Sequence, residues 1–93
     1  MRRILSHPGE ILLEEFLVPL GMSARQLAAE IGVPPNRITD ILRQRRGVTA
    51  DTALRLGSYF GTSAQFWLNL QTAHDLSKAE ASFDYSTIRP RAA

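Results

Sequence analysis

Helix-stop and helix-start signals alternate along this chain at short intervals, and helical periodicity fills the stretches between them. Gly21, Gly32 and Gly61 each close an apolar-periodic stretch, where a left-handed residue ends a helix. Ser23, Thr49 and Ser63 stand where the next helix needs an N-cap. Pro8 and the pair Pro34-Pro35 suit a first helical turn and no helix interior. No alternating Val/Ile/Thr-rich segment of strand length occurs before the C-terminal residues. This punctuation predicts an all-α fold of five short helices.

The first helix is expected from Pro8, with Leu12, Leu13, Phe16, Leu17 and Leu20 on one broad arc and Pro19, Gly21 and Met22 ending it. Ser23 opens the second; its spacing to Gln26 fits a capping box, and Met22 with Leu27 fits a hydrophobic staple. Leu27, Ala28 and Ile31 form its buried face. The third covers about 34–43 with a narrow stripe of Ile38, Ile41 and Leu42, and Arg43-Gln44-Arg45-Arg46-Gly47 closes it. The fourth follows Thr49 and buries Ala53, Leu56, Gly57 and Phe60. The fifth follows Ser63, buries Phe66, Trp67, Leu70 and Ala73, and extends to about residue 78 or 80. Residues 1–80 read as one domain and 81–93 as a short tail, where Arg89-Pro90-Arg91 resists helix.

With 93 residues, 44% of them apolar, the chain has the length of one domain and enough apolar material for a core. It is too short for a dinucleotide-binding or barrel enzyme fold. Cysteine is absent, which removes disulfides, thiolate zinc sites and cysteine nucleophiles. No apolar run reaches the roughly 18–20 residues of a membrane span. The basic start Met1-Arg2-Arg3 leads into a stretch broken by His7, Pro8, Gly9 and Glu10, unlike a signal peptide. The expectation is a cytoplasmic protein that is no enzyme, holds no cofactor and touches no membrane.

The net charge is only +2, but its make-up is uneven. Of the 11 cations, Lys78 is the single lysine. A base-composition bias of the genome would produce the same excess of arginine, so placement decides. Arg37, Arg43, Arg45 and Arg46 crowd together, opposed only by Asp40, while Glu10, Glu14 and Glu15 lie near the N-terminus. One face is therefore basic on a nearly neutral protein, a plausible footprint for nucleic acid.

Gln26 to Leu42 is the most informative segment. Ala28 is small where two steeply crossed helices touch, Gly32 tolerates positive φ in the turn, and Val33 plugs the corner. That is helix-turn-helix spacing, with the second helix free to enter a major groove. Inert helical hairpins share the spacing, but here the outward face carries Asn36, Arg37, Thr39 and Asp40, with a basic run behind it. Arg37 can bond bidentately to guanine and Asn36 to adenine; Asp40 can accept from cytosine or orient Arg37. Equally, Asp40 can be a solvated partner of Arg37 or Arg43. Arg43, Arg45 and Arg46 are better placed for phosphates, and Arg25 can join them.

At this point a resemblance enters. The segments His7-Pro8-Gly9-Glu10-Ile11-Leu12, Gly32-Val33-Pro34-Pro35-Asn36-Arg37-Ile38, Thr49-Ala50-Asp51-Thr52-Ala53-Leu54-Arg55-Leu56 and Phe60-Gly61-Thr62-Ser63-Ala64-Gln65-Phe66-Trp67-Leu68-Asn69-Leu70-Gln71 resemble, in order and separation, the HigA-type antitoxins of the lambda-repressor-like helix-turn-helix class. The resemblance covers residues 7 to about 80, and Ile88 to Ala93 is similar to tails in that family. It implies a homodimer that binds double-stranded operator DNA, neutralises the mRNA-cleaving toxin HigB and represses the operon encoding both. It places a phosphate-contacting glutamine at Gln26 and base-reading positions at Asn36, Arg37, Thr39 and Asp40.

A regulator with no toxin partner fits the same residues, and a helical adaptor fits all but the basic helix. His7 and Glu10 have a His-x-x-Glu spacing, yet two ligands are too few for a metal. His74 reads as a residue flanking the Trp67 and Leu70 face. Leu54, Tyr59 and Leu68 lie off the buried arcs as surface residues or contacts. A dimer is expected to use Leu68, Leu76, Phe83 and Tyr85.

Overall fold

The computed structural model describes residues 3–92, so Met1, Arg2 and Ala93, which carry part of the basic start and the last tail position, lie outside the described residues. Five helices make up the fold, with no strand among the described residues. We label them α1 (8–20), α2 (Ala24–Ile31), α3 (Pro35–Leu42), α4 (Ala50–Phe60) and α5 (Ala64–Ser82). A short 3-10 turn, Tyr85–Thr87, follows.

α1 departs from the expected arc. It opens as α-helix at Pro8–Ile11, widens to a π-helix over Leu12–Leu17, and ends with Val18–Leu20. Pro19 gives the physical reason. It has no N–H, and in a regular α-helix its ring would meet the carbonyl of Glu15. The wide turn avoids this, with the Val18 N–H reaching back to the Leu13 carbonyl. One extra residue in the turn also shifts the buried phase. Leu12 and Leu17 are fully buried, whereas Leu13 and Leu20, expected inside, are exposed.

α2 begins as the spacing predicts. Gln26 N–H donates to Ser23 Oγ at 3.1 Å, and Ser23 N–H donates to Gln26 Oε1 at 2.8 Å. Gly32 leaves the helix at φ 73°, and the Val33 N–H closes the exit on the Ala28 carbonyl. The chain then enters α3 through Pro34. Past Arg43 it is Gln44, not a glycine, that takes a left-handed φ of 61°.

Thr49 and Ser63 cap α4 and α5, and Gly61 separates those helices at φ 76°. α5 runs to Ser82, past the expected end near residues 78–80. Its indole is the largest fully buried side chain. Trp67 Nε1 donates to Thr62 Oγ1 at 2.8 Å, and the ring packs on Phe16 at 5.0 Å between centroids. Phe66, expected as a second anchor, stands at the rim and is exposed. Conversely, Leu68, expected on the surface, is half-buried against the core.

The core joins Leu12, Leu17, Leu27, Ile38, Ile41, Leu56 and Trp67. Each fully buried aliphatic side chain of this size contributes about 1.5–3 kcal/mol. α2 packs on α3 and α4 on α5, while α1 lies against both α3 and α5. The loop after α3 is fixed to α5 by the Val48 N–H, which donates to Gln71 Oε1 at 2.7 Å.

Candidate nucleic-acid interface

Ile38 and Ile41 point into the core and anchor α3 by one stripe, so its remaining faces look outward. Asn36 is exposed, and Arg37, Thr39 and Asp40 are partly exposed. Thr39 Oγ1 turns back to the Asn36 carbonyl at 3.4 Å. Beyond the helix, Arg43, Arg45 and Arg46 are all exposed. The Arg45 N–H closes on the Asp40 carbonyl at 2.8 Å, which curls the basic run back beside α3. Arg25 and Gln26 stand exposed on the first turn of α2. Gln26 is half committed, because its Oε1 caps Ser23 and only its amide N–H groups remain free to donate.

Arg37 is not held by its helix neighbour Asp40. Its Nη1 donates to Asp51 Oδ2 at 2.6 Å, across to the first turn of α4. The partner of Asp40 is Arg46, at 3.6 Å, rather than Arg37 or Arg43. The reason is geometric: the loop after α3 folds Arg46 back toward the helix, while α4 brings Asp51 within reach of Arg37. Asp51 also accepts from Arg55 Nε at 3.0 Å. Arg55 Nη1 in turn donates to the Ile31 carbonyl at 2.7 Å and lies 3.4 Å from that of Gly32. Bonds from Arg37 first, then Arg55, hold the Asp51 carboxyl below its ordinary range. Arg37, Arg46, Thr49, Asp51 and Thr52 line one shallow concavity between α3 and the start of α4.

Sequence reasoning missed Asp51 and Arg55. Their i,i+4 spacing was visible as a helix-surface pair. The reach of that pair to Arg37 on one side and to the turn on the other depends on how α4 lies across α2 and α3.

The two histidines meet at the start of α1, in a shallow concavity that Arg45 and Arg46 also line. His74 follows Leu70 by one turn of α5, and its ring packs edge-on against His7 at 4.9 Å. His7 Nδ1 accepts the Gly9 N–H at 2.9 Å and so caps α1, while His74 Nδ1 meets the Leu5 carbonyl at 2.7 Å. Burial first, then the neighbouring His74, pushes the proton affinity of His7 below the ordinary histidine value. Among the described residues, no three His, Cys, Asp or Glu side chains converge in a way that could hold a metal. No described helix is long and apolar enough to cross a membrane.

A capped helix, a glycine turn and a second helix anchored by one apolar stripe, with a basic run behind it, define the helix-turn-helix class. The profile of the helix-turn-helix family matches residues 13–67. Virulence-associated protein I of Dichelobacter nodosus is 62% identical over 74 residues, 80% of this chain and 68% of that protein. Here and with other curated relatives, the matched stretch spans about two thirds of the relative's length. Among solved structures, Pseudomonas aeruginosa antitoxin HigA with the higBA promoter is 45% identical, covers 95% of this chain and 98% of that one, and superposes with a TM-score of 0.88. Antitoxin GraA in complex with its operator is 44% identical, covers 100% and 97%, and gives 0.89. The chain belongs to the helix-turn-helix family, in the branch that holds the HigA-type antitoxins.

Proposed function

We propose that this protein is a sequence-specific DNA-binding antitoxin, which represses its own operon and neutralises an mRNA-cleaving HigB-like toxin. The observation that carries the reading is the outward face of α3, with Arg37 on its first turns and a basic run curled beside it. Arg37 reads guanine and Asn36 adenine, with Thr39 and Asp40 completing base readout. Arg25, Gln26, Arg43, Arg45 and Arg46 bind phosphates and set the register. Relatives at 44–45% identity solved with operator or promoter DNA support DNA binding as the function. The protein is no enzyme and works in the cytoplasm, where its operator lies.

One such unit reads a half-site, so the working form is a two-fold dimer on half-sites about one helical turn apart. Residues 1–80 form the DNA-binding unit. The segment 81–93, with exposed Phe83 and Tyr85 and with Leu76 just before it, contributes to dimerisation.

The test is a gel-shift titration on the DNA upstream of its own coding sequence, against a scrambled duplex, beside co-expression with the product of the adjacent reading frame. The expected result is a preference for the upstream DNA and rescue of growth from the neighbouring toxin. Equal affinity for both duplexes overturns the DNA reading, and no rescue overturns the antitoxin reading.

A further inference from the structure

We propose that Asp51, on α4 and outside the reading helix, is the positioning residue that sets the base preference of Arg37. This rests on the proposed DNA-binding function and adds to it a specificity determinant off the recognition helix.

Asp51 favours the start of α4 as an acid in its first turn, but its ion pairs add little to folding. Its side chain is 57% exposed, and its partners Arg37 and Arg55 are 29% and 40% exposed. Ion pairs so open to water contribute little to stability. What the bonds do is fix geometry. Oδ2 of Asp51 accepts from both arginines, at 2.6 and 3.0 Å. Arg55 is itself tied to the Ile31 and Gly32 carbonyls in the turn that sets the angle between α2 and α3. A continuous chain of contacts therefore runs from the turn through Arg55 and Asp51 to the guanidinium of Arg37.

A free arginine side chain samples many rotamers and meets any phosphate it can reach. Holding one Nη1 proton on Asp51 leaves the other donors of the fork at a fixed place and angle. Bidentate bonding to guanine O6 and N7 needs that fixed fork, whereas a phosphate accepts from almost any direction. A carboxylate on the wall of the same concavity also repels the DNA backbone, so it disfavours a slack Arg37 that settles on phosphate. Asp51 thus acts on the difference between right and wrong bases rather than on overall affinity.

The experiment measures binding of wild type, Asp51→Asn, Asp51→Glu, Arg37→Ala and the Arg37→Ala/Asp51→Asn double variant. The probes are the upstream operator, its single-base variants and a scrambled duplex. Melting temperatures are recorded alongside. Asp51→Asn is expected to bind the scrambled duplex a few-fold more tightly and to lose about tenfold of its discrimination at the base read by Arg37. Asp51→Glu keeps the charge at the start of α4 but moves the carboxylate, and loses discrimination at the same base. In the Arg37→Ala background, Asp51→Asn changes discrimination no further. A base profile that survives both Asp51 substitutions overturns the role of Asp51 and leaves the DNA reading intact. So does an equal loss with and without Arg37, which marks a general effect on the fold. A wild type with no preference among duplexes removes the DNA reading itself, and the role of Asp51 falls with it.

Discussion

Gly9 lies so close to the carbonyl of Ile41 that a β-carbon on it would overlap that oxygen. The first turn of α1 therefore rests on the last turn of α3, the helix proposed to read DNA. His7, which caps α1 through the Gly9 N–H, belongs to the same contact.

Gly9→Ala should force α1 and α3 apart. Overpacking of this kind costs about 1–3 kcal/mol, and a rigid backbone neighbour puts this site at the upper end. Chemical denaturation should show the loss in full, with operator affinity falling beyond the loss of folded fraction because the seat of α3 has moved. A variant as stable as the wild type would mean that the two helices slide past each other freely.

Protonation of His7 should destabilise the fold. Its neutral ring accepts the Gly9 N–H, and the charged ring has no acceptor at Nδ1. Burial and the adjacent His74 lower its folded value, so in acid the unfolded chain takes up the proton first. Stability from this site is complete above the ordinary value of 6.5 and is lost as pH falls from there toward the folded value. Asp75 opposes the shift and Lys78 adds to it. Melting temperatures of wild type and His7→Asn between about pH 5 and 8 test this. Asparagine still caps a helix but does not titrate, so the wild type should fall more steeply in acid, and parallel curves would refute the assignment.

Two arginines should fail in different ways. Arg37→Ala should cost about 1–3 kcal/mol on the operator and relax one base position. Arg45→Ala should weaken all duplexes alike and lower the salt slope by about one. Gel-shift titrations at several salt concentrations separate the two. An Arg37→Ala variant with an unchanged ratio of specific to non-specific binding would remove α3 as the reader.

Glu10, Glu14 and Glu15 are exposed on α1, and the latter two lie on its π-helical turn. An RNA-cleaving toxin must be basic to hold its substrate, so this surface can steer its approach. Replacing Glu14 and Glu15 by Lys should slow association with the toxin at low salt while operator affinity stays near the wild-type value. Stopped-flow association rates that do not change would exclude α1 from the toxin contact.

Local signals in the chain proved readable where they act locally. The Ser23–Gln26 box, the glycine exits at 32 and 61 and the caps at Thr49 and Ser63 depend only on neighbouring backbone, and each forms as its spacing predicts. α1 was misread in part because a uniform turn of 100° per residue was applied across Pro19, and a single wide turn keeps Leu12 and Leu17 inside while it turns Leu13 and Leu20 out. Phe66 stands exposed at the rim and Leu68 packs partly against the core, because which flank of α5 is covered depends on the neighbouring helices and not on its own periodicity.

By itself, then, the sequence determined the helices, their order, the sharp turn at Gly32 and the outward set of Asn36, Arg37, Thr39 and Asp40, because caps, prolines and apolar stripes act within one or two turns of chain. Tertiary structure alone decided how those side chains are held. Arg37 is bound by Asp51 rather than Asp40, Asp40 by Arg46, and His7 by contact with His74. The Asp40–Arg46 pair follows from the path of the loop after α3, while the Arg37–Asp51 and His7–His74 pairings depend on the angles at which packed helices cross, and those angles come from the whole core at once.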